Sequence, residues 1–215
     1  MRVVSTGNPG AMTVRERTTH MQDLTGLLRN SLSTSLFLLL IGIGTIVQAQ
    51  AQKPMTIQAT AKGTSTQMGR IASVNIRIEQ YSTADDQKSL IAAFKRSGQD
   101  GLVDVLADMK PKGRVRFASG GVGNDVKYII ELPAKNGRRF RLLTDRNIGI
   151  GELYAGTRSR DYSVGAIELV LTPDGKGSGT VLPACKLTVD KKTQQIEVET
   201  YQNPWDLINF RISND

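Results

Sequence analysis

The side chains best placed to do chemistry in this 215-residue chain are cationic. Arg114, Arg116, Lys127, Arg139 and Arg141 occupy alternate positions of segments that read as neighbouring β-strands, which puts them on one outward face. A row of guanidinium groups recruits phosphate, sulfate or carboxylate, bidentately where the anion is planar. Glu131 and Asp145 are placed to pair with Arg141 and Lys127, so Arg114, Arg116 and Arg139 are the candidate anion contacts. Trp205, within Asn203-Pro204-Trp205-Asp206, is the candidate aromatic contact. Trp205, like Tyr154, Tyr162 and Tyr201, falls in or beside a loop; with Arg158 and Arg160 nearby such rings could stack on a sugar or a partner, but more often they plug the end of a barrel or sandwich, which is the favoured reading. Few aromatic residues interleave with the charges, which gives base stacking little support.

Three other constellations carry less. Gly120-Gly121-Val122-Gly123 has the composition of a phosphate cradle, but a strand follows it where such a site needs a helix N-terminus. Asp174-Gly175-Lys176-Gly177 lacks the acidic ligands of a calcium loop and reads as a tight turn. Asp100, Asp104 and Asp108 share one face of a helix opposite its apolar side. Solvated there, they have no reason for the raised pKa of a general acid. No residue is assigned a catalytic or metal-binding role, and no cofactor is implied.

The elements that must position these residues begin beyond a leader. Leu36–Val47 is an uncharged apolar run of 12 residues preceded by Arg29 and followed by Ala49-Gln50-Ala51. That is long enough for a secretory signal and too short to span a bilayer. Cleavage after Ala51 is expected, with cleavage after Ala49 as the alternative, and no membrane span then remains. A start at Met21 gives a leader of ordinary length, so Met1–His20 reads as an over-extended gene start.

Export has chemical consequences. The chain contains one histidine, His20, and one cysteine, Cys185. A mature chain from Gln52 has no imidazole, so it can run neither a Ser-His-Asp nor a Cys-His relay, nor hold the usual zinc sites. A lone cysteine forms no internal disulfide, and Cys185, in phase with Val181, Leu187 and Val189, reads as a buried thiol. Lys and Arg number 28 against 20 Asp and Glu, and the excess of cations persists after the leader is removed.

From residue 52 to 215 a single β-rich domain is expected. Met55–Ala61 and Arg70–Tyr81 read as strands joined by a polar loop. Residues 84–110 change to helical period, with Ser82 or Thr83 as cap, Gly98 as a stop and Pro111 as a second stop. This reads as an inserted αα-hairpin. Arg114–Ala118, Asp125–Leu132 and Arg138–Asp145 form a meander, and Ser163–Thr172, Thr180–Val189, Gln194–Tyr201 and Leu207–Ile212 supply four more strands. If each strand has one wet face, a three-residue loop at Asn136-Gly137 sets Leu132 opposite Phe140, Ile130 opposite Leu142 and Tyr128 opposite Thr144. The same logic at Asp190–Thr193 sets Leu187 opposite Ile196 and Cys185 opposite Val198. The class is mainly β, an antiparallel sandwich or barrel of about eight to nine strands.

Thr144-Asp145-Arg146-x-Ile148-Gly149, Asp161-Tyr162-Ser163-Val164, Ile167-Glu168-Leu169 and Asp174-Gly175-Lys176-Gly177-x-Gly179 resemble segments of a set of exported bacterial proteins. Those proteins end in a run of antiparallel strands and have no assigned activity. The resemblance covers about the last two-fifths of the chain and implies export and β-content. Taken together, these features lead us to expect a periplasmic or secreted binding domain for an anionic polymer or another envelope protein. A carboxylate-dependent hydrolase is the alternative, and would need two acids converging in a cleft. A lipid carrier would need a hollow apolar barrel.

Overall fold

In Met55–Gly63 the residues Met55, Ile57, Ala59 and Ala61 alternate with Thr56, Gln58, Thr60 and Lys62, and the segment forms strand β1 with the first set buried. The computed structural model describes residues 53–118, 121–150, 162–199 and 204–214. The expected leader, Leu36–Val47 with Ala49-Gln50-Ala51, lies outside the described residues. Eight further strands follow: β2 (Ile71–Ile78), β3 (Gly113–Phe117), β4 (Asn124–Leu132), β5 (Arg138–Thr144), β6 (Val164–Leu171), β7 (Gly177–Val189), β8 (Ile196–Glu199) and β9 (Trp205–Asn214). Successive strands pair antiparallel from β1 to β7. β9 then inserts between β7 and β1, and closes an eight-stranded barrel from which β8 projects as an extra strand on β7.

The barrel is filled. Ile57, Ile76, Ile78, Val115, Ile129, Phe140, Leu142 and Ile167 are wholly buried inside it. Each contributes about 1.5–3 kcal/mol from burial. Trp205, expected as a contact residue, belongs to this core at 4% exposure. Its ring fills the barrel and is not offered to a ligand. At another point the core is covered by Tyr81, whose ring lies 5.9 Å from that of Phe140. Arg138 stacks over Phe140 and bonds Glu131 at 2.8 Å.

A second core lies outside the barrel wall. Tyr128, Leu143, Val164, Ala166, Leu182, Cys185, Leu187 and Ile196 face Leu90, Ile91, Leu102 and Leu106 of helix α1 (Ala84–Asp108). Thr83 and Asp86 form a reciprocal capping box at its start, with Asp86 N–H donating to Thr83 Oγ1 at 3.1 Å and Thr83 N–H to Asp86 Oδ2 at 2.7 Å. No basic residue lies in its last turn. Lys127 of β4 supplies the missing cation, donating to Met109 O at 2.9 Å and Ala107 O at 3.3 Å. Where an αα-hairpin was expected, one helical element forms, interrupted at Ser97 and Gly98. Gly98 sits at φ +64°, ψ −148°, a conformation open to glycine, so the helical path stops there as expected and resumes across a kink.

This second core explains two register corrections. The observed β4–β5 pairing sets Ile129 opposite Leu142, Glu131 opposite Phe140 and Leu132 opposite Arg139, one residue from expectation. The wet-face assumption fails here: Ile129 and Leu142 point into the barrel while Tyr128 and Leu143 are buried beneath α1 and the β7–β8 hairpin. With apolar residues welcome on both faces, alternation no longer selects the register. At β7–β8 the observed pairs are Leu187 with Val198 and Lys186 with Glu199, two residues from expectation. A shift of two keeps every side chain on its face, so burial cannot detect it. The loop is longer than four residues, closing through Asp190 N–H to Gln195 O at 2.9 Å. Cys185 is likewise out of phase with Val181, because a register irregularity in β7 puts Val181 inside the barrel and Cys185 in the second core.

Candidate anion-binding face

The outer face of β9–β1–β2–β3 is the part of the wall whose outward residues are mostly polar and exposed or half-exposed, with Ile71 and Ile208 as exposed apolar exceptions. Because opposed residues of antiparallel strands share a face, the pairings line up rows across four strands. One row runs Arg211, Gln58, Asn75, Arg116, and the next contains Ile208, Thr60 and Ser73. With strands about 4.8 Å apart, the end members of a four-strand row stand about 14 Å apart at their Cα atoms. A β-bulge opposite Ala59, with Asn209 at φ +58°, bends β9 here.

These rows line a groove of about 930 Å³. That lies within the range of small-ligand sites. Gln58, Thr60, Ser73, Asn75, Arg116, Asn209 and Arg211 are its polar side chains, and among the described residues no lining residue carries a carboxylate. Among the described residues neither Arg116 nor Arg211 has an ion-pair partner. As far as the described residues go, both guanidinium groups are open to a ligand anion.

The four predicted contact residues do not converge. Arg116 lines the groove and Arg114 lies two residues along the same strand face. Arg114 is already engaged, donating to Val122 O at 2.7 Å and 3.2 Å and lying 3.7 Å from Asp125. Arg139 is on β5, 2.8 Å from Glu168, and Trp205 is in the core. Arg211, Gln58 and Asn75 were missed. Gln58 and Asn75 were visible as polar members of alternating strands, but nothing local brings β9 beside β1.

The expected pairing of Lys127 with Asp145 is present at 3.9 Å, but Arg141 turns to other acids. Arg141 is buried and bonds Glu168 at 2.7 Å, Glu197 at 3.0 Å and the Ile196 carbonyl. Burial alone would raise the Glu168 pKa, but hydrogen bonds from Arg139 and Arg141 hold it below the ordinary range. Glu168, which meets Glu197 at this guanidinium, is thus kept ionised by its cations, the reverse of what a general acid needs. Burial pushes the Cys185 thiol up to about 12, with a smaller opposing effect from Arg141.

The remaining candidates are structural. Gly123 leads straight into β4, with no helix after it; Ser119 and Gly120 lie outside the described residues. Asp174 closes the β6–β7 turn, its carboxyl held down to about 2 by the Thr172 hydroxyl and Lys176. Asp100, Asp104 and Asp108 are exposed along α1. Among the described residues no three metal-ligating side chains cluster, and no helix is long and apolar enough to cross a membrane. Tyr162 is half-buried; Tyr154, Arg158, Arg160, Tyr201 and Asn203 lie outside the described residues.

Fold and face together define a side-chain-filled antiparallel barrel with a cationic groove on its outer wall. No protein family model, curated protein or solved structure matches the chain.

Proposed function

We propose that the chain is an exported, non-enzymatic binding module whose ligand is an anionic polymer laid across β9–β1–β2–β3. The observation that carries this reading is the pair of guanidinium groups, Arg116 and Arg211, that have no ion-pair partner among the described residues and stand at opposite sides of a groove whose described lining has no carboxylate. A ligand anion there meets attraction and no like charge. Two further features support it. The barrel interior holds packed side chains, which leaves the lipid-carrier alternative no cavity. The groove offers no acid to a hydrolytic reaction. Export rests on the apolar run Leu36–Val47 and the small residues Ala49 and Ala51.

The test is binding of polyphosphate and heparin at low salt. Arg116→Ala combined with Arg211→Ala should weaken both by about 10-fold or more, at about 1 kcal/mol for each exposed charge-assisted contact. The slope of log affinity against log salt should fall as contacts are lost. Arg139→Ala, on the Glu168 ion pair away from the groove, serves as the control. Equal losses in the control, or none in the double variant, would remove the groove from the reading.

A further inference from the structure

The uncharged side chains between the two arginines narrow the ligand class. Gln58 and Asn75 lie between Arg211 and Arg116 in the same row, with Thr60 and Ser73 beside them. Each amide offers two N–H donors and a carbonyl acceptor, and each hydroxyl both donates and accepts. A uniformly charged chain, with an anion on every repeat, would set acceptor-only groups against this middle stretch and leave its acceptors unmet. Nucleic acid would also want exposed rings for its bases. The two rings of the groove do not provide them: Phe117 is buried at 4% exposure and Phe210 is half-buried against Gly177. The complementary ligand carries anions at intervals and hydroxyl or amide groups between them.

Resting on the proposed anion-binding function, we infer that the groove takes an acidic glycan in which charged sugars alternate with neutral, hydroxyl-bearing ones. Arg116 and Arg211 bind the carboxylates or sulfates of separated acidic sugars. Gln58, Asn75, Thr60 and Ser73 bind the hydroxyls of the sugar between. Recognition is edge-on and hydrogen-bonded, without a stacking platform.

The experiment compares four probes on the full chain: hyaluronan oligosaccharides, which have a carboxylate on every second sugar, polyphosphate, single-stranded oligothymidylate and uncharged dextran. Measured by calorimetry at physiological salt, hyaluronan should bind at least 10-fold more tightly than polyphosphate of equal total charge, and dextran at least 10-fold more weakly than hyaluronan. Gln58→Ala with Asn75→Ala should lower the ratio of hyaluronan to polyphosphate affinity at least 5-fold. Emission from Trp205 verifies that this variant is folded. Polyphosphate or oligothymidylate binding as tightly as hyaluronan, with a ratio indifferent to the amide variants, overturns the glycan class while the anion-binding function stands. Dextran binding as tightly as hyaluronan overturns the need for charge. Absence of binding to all three polyanions overturns both readings.

Discussion

Replacing Arg141 with methionine should cost the fold about 2–3 kcal/mol near neutral pH, and the cost should shrink in acid. The side chain is 5% exposed and holds Glu168, Glu197 and the Ile196 carbonyl, tying β5 and β6 to the projecting β8. Removing one partner of a buried ion pair typically costs about 3–5 kcal/mol. Two features reduce that here: the Glu197 side chain is 42% exposed, and Glu168 keeps Arg139 at 2.8 Å. A carboxylate whose folded pKa lies below its unfolded value stabilises the fold above the ordinary value of 4.5, and loses that contribution as pH falls through the folded value. Glu168 is such a group, and without Arg141 part of the depression disappears. Wild type and variant should therefore converge as the pH drops below 4.5. Urea unfolding followed through the single tryptophan, Trp205, measures this directly. At pH 7 the midpoint should fall by about 1–1.5 M for a slope of about 2 kcal/mol/M. A loss under about 1 kcal/mol, or one equally large at pH 3.5, would mean that Arg141 acts through packing and not through charge.

Other consequences are simpler to check. Cys185, buried and with its thiol pushed up to about 12, should ignore a thiol-specific disulfide reagent at pH 8 and react once in denaturant. Rapid reaction of the native protein would contradict its place in the second core. Trp205, at 4% exposure, should emit well to the blue of the unfolded chain and resist acrylamide quenching; ready quenching would return it to the surface. Gly137→Ala should destabilise by about 1–3 kcal/mol in thermal melts. Its φ is +78°, and a Cβ there would lie 2.0 Å from the Leu171 carbonyl oxygen. Ile76→Ala, in the barrel interior, should cost about 2–5 kcal/mol, whereas a loss under about 1 kcal/mol would argue against a filled barrel.

Much of the fold was legible because most strands announce themselves locally. Val74, Ile76 and Ile78 alternate with Ser73, Asn75 and Arg77, and both sets fall on the faces that alternation assigns. The turns at Asn136-Gly137 and Pro173-Asp174-Gly175 stand where glycine at positive φ is needed. Closure was not legible, since β9 meets β1 across some 150 residues of chain, as in the pairing of Gln58 with Arg211. Half of the candidate site depends on that meeting. Arg116 was visible as an outward residue of its strand, but its counterpart Arg211 becomes relevant only once β9 lies on the far side of β1. The ion pairs failed for a related reason. Glu131 and Arg141 were matched by a register that assumed solvent on one face, and Arg141 is buried on that face.

The same burial contrast explains why the groove lies where it does. In β1, β2 and β3 buried residues alternate with exposed or half-exposed ones, so those strands meet water on their outer side. In β4, β5 and β6 four or more consecutive residues are buried, because α1 and the β7–β8 hairpin cover the wall outside them. A barrel filled with Ile, Leu, Val and Phe leaves the proposed ligand its exterior. The covered half of that exterior is committed to the second core. The uncovered half presents Gln58, Asn75, Thr60 and Ser73 between Arg116 and Arg211. Ile208, exposed opposite Thr60, is a single apolar side chain where a protein partner would want a patch. Amides and hydroxyls flanked by guanidinium groups suit instead a hydrated, negatively charged chain, and that contrast is why the proposed ligand is placed on the uncovered wall.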